Sequence, residues 1–373
     1  MSENNLLIVG GGIAGMSLAI RMRGQGWAVD LVEIDPEWRV YGAGISVTAP
    51  TFRALKRLGL AQQVIAAGFA CEEGVRICLP SGQGVFDVPV MPLEPGVPAQ
   101  GGIMRPALHS ILSNHTRAAG VNIRLGVTLT QWSEAPDGVE VTTSDGQRRS
   151  YRLAVIADGA RSKLRERVFP DAPKPKYTGQ YCWRLVAERP AEIDRCHMYM
   201  AGPITAGLMP TSATHMYLFL LQPETAKHRI AEAQLVPRLR GLMAPFGGVL
   251  GRLRDALSEK SVINVRPLEA VLLPRPWHRG RIAIIGDAAH ATTPHLASGA
   301  GIAVEDALAL SEILSEERDI ERALQRFEER RWERCRMVVE NSVQIGQMEL
   351  SHASPEKLKA LMAESEIALR AEI

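Results

Sequence analysis

Residues 6–33 constrain the fold of this chain more than any other stretch. They read as an apolar strand, a Gly-x-Gly-x-x-Gly turn at Gly10, Gly12 and Gly15, an amphipathic helix, and a second strand that ends at Glu33. In a unit of this kind the first glycine permits a sharp turn, the second lets a pyrophosphate approach the backbone, and the third lets the helix lie close to the strand. The pattern predicts a βαβ unit that binds a dinucleotide.

The start of the helix and the acid after it indicate which dinucleotide the unit would bind. The free N–H groups at Ile13, Ala14 and Gly15 and the positive end of the helix dipole favour phosphate groups. Glu33 lies 18 residues beyond Gly15, where its carboxylate can bind ribose hydroxyls and would repel a 2′-phosphate. The unit therefore favours FAD or NAD over NADP, although an ordinary α/β turn gives the same glycine pattern. It does not decide between a flavin and a nicotinamide.

Length and composition exclude several other classes. The 373 residues can form two subdomains or one large domain with an insertion. A net charge of +2 without a dense Lys/Arg run gives no basis for nucleic-acid binding. The five cysteines are scattered without a Cys-x-x-Cys pair, which argues against a metal or disulfide framework and suits a reducing cytoplasm. No apolar run is long enough for a membrane span, and Met1 leads almost directly into the first strand, so we expect a cytoplasmic protein without a signal peptide. We also expect a monomer or a homodimer.

Two further apolar strands end in an acid beside a glycine. One runs into Asp158 and Gly159, and the other runs into Gly286 and Asp287. A buried strand that ends in this way is typical of the ligand edge of a parallel sheet. A glycine-rich loop and a helix start follow Asp287 and predict a second anion or dipole site. His290, just behind Asp287, is expected to form structural hydrogen bonds.

Two shorter features also point to a ligand. The run 41–46 contains three small residues, which indicates backbone that passes close to a ligand. Ser46 closes this run and could hydrogen-bond a cofactor, or it could be an ordinary turn serine. Arg105 precedes a proline at the start of a predicted helix. Its guanidinium could meet a phosphate, with capping at the surface as the alternative.

The segment 177–221 is the candidate substrate region, because aromatic and β-branched residues alternate there as in an antiparallel sheet with one face toward a cavity. Tyr217 could orient a substrate hydroxyl, or it could belong to the core. His215 should share its sheet face and could act as a base, or it could lie at the surface. Arg184 could pair with a substrate carboxylate, or it could face solvent. His295, directly after Pro294 on the glycine-rich loop, is a further catalytic candidate.

In combination and in this order, the three motifs resemble those of the FAD-dependent aromatic hydroxylases, the group A flavoprotein monooxygenases similar to p-hydroxybenzoate and salicylate hydroxylases. The resemblance spans residues 6 to about 334. It implies an α/β fold with a Rossmann-like FAD-binding domain built on a parallel sheet, an antiparallel-sheet substrate domain, and C-terminal helices. The implied FAD-binding segments are 1–72, 104–172 and 273–373, the last including the C-terminal helices. The implied substrate segments are 73–103 and 173–272.

The resemblance also implies cofactors and contacts. FAD would be bound, NADH or NADPH would be a transient co-substrate, and O₂ and a small aromatic compound would be the other reactants. Glu33 would bind the adenosine ribose, Leu129 the adenine through its backbone, Arg105 the phosphate or ribityl region, and Asp287 the ribityl hydroxyls. Asp158 belongs to a motif associated with both cofactors. The other implied FAD contacts are Gly10, Gly12, Ile13, Ala14, Gly15, Ile34, Arg39, Ser46, Gly286, and the isoalloxazine-lining Pro294, Ala297, Ser298, Gly299, Ala300 and Gly301.

The implied reaction reduces FAD with NAD(P)H, adds O₂ at flavin C4a, and transfers OH from the hydroperoxide to an electron-rich ring in a dry chamber. Two departures bear on the substrate. Relatives that act on hydroxylated pyridines carry histidine where Ser46 stands, and relatives that hydroxylate urate carry an acid at His295 and an arginine near Ile204. No substrate follows from the sequence. A flavin-dependent reductase or dehydrogenase, and a non-catalytic flavin-binding protein, remain the alternatives.

Overall fold

A computed structural model describes residues 4–40, 42–135 and 137–373. Met1 and Tyr41, which the sequence analysis used, lie outside the described residues. The strands are β1 Asn5–Val9, β2 Ala28–Glu33, β3 Gly44–Thr48, β4 Phe69–Ala70, β5 Val75–Cys78, β6 Gly84–Val88, β7 Gln100–Met104, β8 Asn122–Leu125, β9 Leu129–Ala135, β10 Gly138–Thr143, β11 Arg148–Tyr151, β12 Leu153–Ile156, β13 Lys176–Glu188, β14 Cys196–Ala201, β15 Ile204–Pro210, β16 His215–Pro223, β17 Ile263–Ala270, β18 His278–Arg279 and β19 Ile282–Ile284. The helices are α1 Ile13–Gly24, α2 Ala49–Arg57, α3 Ala61–Ala67, α4 Arg105–Ala118, α5 Lys163–Val168, α6 Leu235–Leu242, α7 Gly248–Asp255, α8 Asp287–His290, α9 Gly299–Glu316, α10 Ile320–Leu350 and α11 Pro355–Arg370, with short 3₁₀ helices at Glu232–Gln234 and Pro294–Leu296.

A six-stranded sheet in the order β18-β19-β12-β1-β2-β8 forms the centre of the nucleotide half. All its neighbouring strands are parallel except β18 and β19. The residues of β1, β12 and β19 are almost all apolar, and they are buried. They share one core with apolar side chains of α1, α9 and the antiparallel sheet β11-β10-β9. Strands buried on both faces read as continuous apolar runs, which is the pattern that the sequence shows. The predicted parallel sheet is confirmed.

A seven-stranded sheet in the order β17-β13-β16-β15-β14-β5-β6 forms the other half. All of its pairs are antiparallel except β5 with β14. One face carries Trp183, Tyr199 and Leu220 and packs against α6 and α7 in a second core. Because side chains alternate along a strand, Arg184 and Tyr217 lie on the opposite face. The predicted antiparallel sheet is confirmed, with this one parallel pair as a difference.

A small sheet in the order β3-β7-β4 joins the two halves. Its glycines allow close contact, since a Cβ on Gly102 would lie 2.1 Å from the carbonyl oxygen of Pro210 in β15. Strand β7 crosses the predicted boundary at residue 103 and pairs with β3 and β4 rather than with the seven-stranded sheet. The domain boundaries stay a prediction. Helices α9, α10 and α11 close the chain, and within the described ranges no helix is long and apolar enough to cross a membrane.

Candidate cofactor and substrate site

The three distinctive motifs meet at one edge of the six-stranded sheet. They follow β1, β12 and β19, which are neighbours in that sheet, so their carboxyl ends lie side by side. A Cβ on Gly10 would lie 2.3 Å from the carbonyl oxygen of Ala157, directly before Asp158. A Cβ on Gly286 would lie 2.7 Å from the Cβ of Ala14. Both glycines have positive φ, +112° and +61°, and only glycine accepts such a backbone at this contact distance.

The turn after β1 leaves room for a ligand at one glycine. Gly15 is in close contact, since a Cβ there would lie 2.0 Å from the carbonyl oxygen of Gly10. At Gly12, which precedes Ile13 at the start of α1, a Cβ would meet no atom within 4 Å. The first N–H groups of a helix have no partner within the helix. This open space in front of free N–H groups suits a pyrophosphate.

Glu33 lies at the end of β2 and is held by the loop around it. Its carboxylate accepts hydrogen bonds from the N–H of Gly11 at 2.7 Å and from the N–H of Asp35 at 2.9 Å. The N–H of Val127 donates to the backbone oxygen of Glu33 at 3.0 Å, so the loop before Leu129 lies beside the same strand end. The glutamate therefore has a fixed position next to the glycine turn.

The other residues near Glu33 differ in exposure. Leu129 is buried in the core, which leaves only its backbone for a ligand. Ile34 is 69% exposed. Arg39 lies at the surface and pairs with Asp35 at 3.0 Å and with Glu37 at 3.4 Å. Trp38, which the sequence analysis did not single out, donates from Nε1 to the carbonyl oxygen of Gly11 at 2.8 Å and packs over that loop.

Three charged residues face the cleft between the two halves. Asp158, Asp287 and Arg105 are exposed to this cleft although protein surrounds them. Burial raises the pKa of the Asp287 carboxyl, and the nearby charges of His290 and Arg105 partly oppose that change. Burial also raises the pKa of Asp158 and lowers the pKa of Arg105. The charges of Asp287 and Arg105 therefore interact within one cleft.

The glycine-rich loop after Asp287 ends at the start of α9. Ala297 has a left-handed backbone with φ +49°, and Ser298 Oγ donates to the carbonyl oxygen of Leu296 at 2.7 Å. Gly301 lies against α2, since a Cβ there would be 2.4 Å from Thr51 Oγ1. Gly299 and Ala300, at the first positions of α9, are half-buried, as is Pro294. The loop thus brings a second helix start to the same region as α1.

Tyr217 links the seven-stranded sheet to the nucleotide half. Its hydroxyl lies 2.8 Å from Ser46 Oγ on β3, and its ring covers Gly44, where a Cβ would be 2.0 Å from Tyr217 Cδ1. Burial raises the pKa of Tyr217 to about 12, while Ser46 and the charge of Arg184 oppose that change. The phenol therefore keeps its proton at neutral pH and can donate a hydrogen bond.

Three arginines line a small cavity near Tyr217 and Ser46. The cavity has a volume of about 160 Å³, and its lining includes Arg105, Arg184, Asn264 and Arg266. Arg184 lies opposite Asn264 in the strand pair, and Cys182 lies opposite Arg266, so these side chains share one sheet face. Within the described part of the chain, none of the three arginine side chains makes an ion pair or hydrogen bond.

Asn264 and Arg266 were missed by sequence reasoning. They alternate with Ile263 and Val265 in β17. That period of two was the available signal that one face of the strand is polar.

The two candidate histidines, His295 and His215, have their hydrogen-bond partners elsewhere and not at Tyr217. His295 Nδ1 lies 2.9 Å from Thr293 Oγ1, and its ring packs against α10, where a Cβ on Gly346 would be 2.8 Å from His295 Cε1. His215 is exposed at the start of β16, and its Nδ1 lies 2.8 Å from Thr214 Oγ1. Catalytic roles for both stay predictions.

A larger cavity lies on the other face of the seven-stranded sheet. It has a volume of about 540 Å³ and is lined by residues of β5, β6, β14 and α7, including His197 and Tyr199. None of the motif residues lines it. The candidate site therefore lies at the smaller, arginine-lined cleft.

Behind the cleft lies a buried ion-pair network that sequence reasoning also missed. Asp306 Oδ2 accepts from the N–H of Gly286 at 2.9 Å and lies 2.6 Å from His290 Nε2, and its Oδ1 accepts from Arg331 Nε at 2.9 Å. The charges of His290 and Arg331 hold the pKa of Asp306 at about 2. The structural role expected for His290 is confirmed. The Asp306 side of the network was visible in the sequence only as an acid on an apolar helix.

The hydrogen-bond donors, acceptors and charges at the cleft fit an FAD molecule. The starts of α1 and α9 and the Arg105 guanidinium offer positive charge for phosphates and for an electron-rich ring. Glu33 and Asp287 offer carboxylates that can accept from the hydroxyls of a ribose and of a ribityl chain. The open space at Gly12 lies where the backbone N–H groups of α1 begin.

Comparisons with known proteins agree. The sequence matches the FAD binding domain family over residues 3–342. It is similar to an aurachin C monooxygenase/isomerase of Stigmatella aurantiaca, with 31% identity over 354 residues, which are 92% of this chain and 89% of that protein. It is also similar to a 2-heptyl-3-hydroxy-4(1H)-quinolone synthase of Pseudomonas aeruginosa (strain UCBPP-PA14), with 31% identity over 317 residues, which are 83% and 80% of the two chains.

The fold has a close counterpart among solved structures. Klebsiella pneumoniae HpxO in complex with FAD and uric acid superimposes with a TM-score of 0.82 at 25% identity, covering 100% of this chain and 94% of that one. The predicted fold class, FAD cofactor and enzyme class are thereby confirmed. The chain belongs to the FAD binding domain family, and it is an FAD-dependent monooxygenase.

Proposed function

We propose that this monooxygenase hydroxylates a small heteroaromatic compound with an acidic group, bound between the glycine loops and the seven-stranded sheet. The observation that carries the proposal is the pair Arg184 and Arg266, which face a cavity of about 160 Å³ with no carboxylate partner among the residues described. Cations gathered in one cleft create a positive potential that favours a bound anion. A substrate carboxylate or an ionised hydroxyl would provide one.

The proposal assigns FAD to the cleft in one orientation. Gly12 and the start of α1 would hold the pyrophosphate, Glu33 the adenosine ribose, and Asp287 the ribityl chain. Arg105 would neutralise phosphate charge, and residues 297–301 would lie along the isoalloxazine. Bound FAD supplies the redox chemistry, taking a hydride from NADH or NADPH and activating O₂.

The protein side chains would then bind and orient the substrate. Tyr217 stays a phenol at neutral pH, because burial raises its pKa to about 12, so it can donate a hydrogen bond to a substrate oxygen. Ser46 Oγ, 2.8 Å away, would donate to the Tyr217 oxygen and leave the phenol proton for the substrate. Among the described residues that line the cavity there is no histidine. The positive charge of Arg184 would instead favour the ionised, electron-rich form of the substrate, since a nearby cation lowers the pKa of an acid.

The names of the relatives support a heteroaromatic substrate. Quinolone and urate, which appear in the names of two of them, are nitrogen-containing rings with oxo groups. The five cysteines of the chain are all free and buried, which supports a reducing compartment such as the cytoplasm.

A screen of the purified enzyme tests the substrate class. NADH or NADPH oxidation would be followed with heteroaromatic acids and with the amides of the same acids, and peroxide and hydroxylated product would be measured together. We expect product from one or more acids and little from the matched amides. Product from the amides at equal efficiency would contradict the proposed acidic group. Peroxide equal to the reductant consumed would identify an effector and not a substrate.

Substitution of Arg184 tests its role directly. Arg184→Gln should raise the KM for the acid about ten- to hundredfold, because a hydrogen bond between charged groups contributes about 1.5–3 kcal/mol. The KM of Arg184→Lys should lie between those of wild type and Arg184→Gln, since lysine keeps the charge but lacks the planar guanidinium. Arg76→Gln, on the rim of the cavity on the other face, is the matched control and should leave the KM unchanged. Equal effects of Arg184→Gln on acid and amide would overturn the assignment.

A further inference from the structure

Asp306 holds both ends of the short helix that carries Asp287. Its Oδ2 accepts a hydrogen bond from the N–H of Gly286, the residue before α8, at 2.9 Å. The same oxygen lies 2.6 Å from Nε2 of His290, the last residue of α8. Asp306 itself lies in α9 and is fully buried. One carboxylate on a long helix therefore fixes the start and the end of α8.

The helix α8 needs such support for two reasons. It has only four residues, and a single turn is not stable by itself. Gly286 has φ +61° and lies in contact with Ala14 at the start of α1, so a small rotation there would redirect Asp287. Asp287 is the first residue of α8 and faces the cleft.

Asp306 is in turn held by charges that reach the end of the chain. Arg331 bridges Asp306 at 2.9 Å and Glu305 at 3.0 Å. Arg334 binds Glu305 with two hydrogen bonds of 2.7 and 2.8 Å. It also donates to the carbonyl oxygen of Leu369 at 2.7 Å, near the end of α11. The helix α8 is thus connected to the C-terminal helix α11 by consecutive ion pairs and hydrogen bonds.

We propose that Asp306 is a positioning residue for FAD binding, which acts by holding α8 so that the Asp287 carboxylate is directed into the cleft. The proposal rests on the role assigned above to Asp287. Asp306 is fully buried and would not itself contact the cofactor. It sets the direction of a residue that does.

The test measures FAD affinity of the apo-protein by quenching of flavin fluorescence in four forms: wild type, Asp287→Ala, Asp306→Asn, and the double variant. We expect Asp287→Ala and Asp306→Asn each to raise the Kd for FAD about tenfold, the scale of one charge-assisted hydrogen bond. Because Asp306 acts through Asp287, the double variant should bind no more weakly than Asp287→Ala alone. If Asp306 had only a general structural role, the losses of affinity in the two single variants would add in the double variant.

Glu312→Gln is the matched control. Glu312 is also a carboxylate of α9 and is paired with Arg330 of α10 at 2.9 Å, but it has no bond to α8. This variant should bind FAD within twofold of wild type. If Asp306→Asn does not fold, Arg331→Lys replaces it, with a smaller loss of affinity and the same lack of additivity with Asp287→Ala.

The outcomes separate the two proposals. Weak binding by Asp287→Ala with wild-type binding by Asp306→Asn, or additive losses in the double variant, would overturn the positioning role and leave the role of Asp287 intact. Wild-type binding by Asp287→Ala would remove the assigned role of Asp287, and the positioning role with it.

Discussion

Arg331 and Arg334 of α10 and Arg184 and Arg266 of the seven-stranded sheet carry the same charge in opposite surroundings. Arg331 is fully buried and bridges two buried carboxylates. Arg184 and Arg266 face a cavity and make no ion pair with any described residue. The first two arginines have their counter-charges within the protein, in Glu305 and Asp306. The other two would receive a counter-charge from the negatively charged substrate that we propose.

This difference separates groups that hold the fold from groups that wait for a reactant. Removing one partner of a buried ion pair leaves an uncompensated charge and is strongly destabilising. Removing a cation that has no protein partner should cost little stability and should act on ligands instead. Three substitutions test whether the two sets of arginines differ in this way.

The largest effect is expected for Arg331→Met. It leaves Asp306 and Glu305 without their shared partner, so the free energy of unfolding should fall by about 3–5 kcal/mol. Urea unfolding of the apo-protein measures the change. Arg336→Gln is the control and should cost less than about 1 kcal/mol, because the ion pairs of Arg336 with described residues lie at the surface of the same helix. Equal losses in both would show that burial of the network does not matter.

A smaller effect, on kinetics and not on stability, is expected for Arg266→Gln. The free energy of unfolding should stay within about 0.5 kcal/mol of wild type. The rate constant for reduction of the bound flavin by NADH or NADPH should fall about threefold at low ionic strength, since both reductants are anions attracted by the cleft. The difference should shrink as salt is added. A large loss of stability would show that Arg266 supports the fold as Arg331 does.

The smallest effect is a pKa shift at Tyr217. Arg184 lowers the pKa of this phenol against the effect of burial, so Arg184→Gln should raise it further, whereas Arg336→Gln should leave it unchanged. Difference ultraviolet titration against Tyr217→Phe measures the shift. A downward shift in Arg184→Gln would show that the two side chains are not electrostatic neighbours.

The raised pKa of Tyr217 also predicts a pH dependence of stability. The folded protein keeps the phenol proton up to a pKa of about 12, whereas an unfolded tyrosine loses it near 10.0. The contribution of Tyr217 is therefore fully present below pH about 10 and is lost as the pH rises toward 12. The free energies of unfolding of wild type and Tyr217→Phe should diverge across this interval by up to about 3 kcal/mol. Parallel curves would contradict a buried phenol.

Parts of the candidate site could be predicted because their signals are local. The glycine turn, Glu33, Asp158 and Asp287 each lie at the end of an apolar strand, and parallel strands bring such ends to one edge. Tyr217 and Arg184 followed from alternation within a sheet. His295 shows the limit, because the loop could be placed beside the cleft while the direction of the ring was set by Thr293 and by α10.

The amino-acid sequence was enough to predict the apolar strands of the parallel sheet, the glycine turns after them, the α/β class and a ligand edge, because backbone geometry and apolar periodicity act over a few neighbouring residues. Only the tertiary structure decided which charges are paired. Arg331 and Arg184 look alike in the sequence, but Arg331 meets Asp306, 25 residues away, whereas Arg184 faces an open cavity. Ion pairing depends on distances of a few ångströms between distant segments, and packing of the two halves sets those distances.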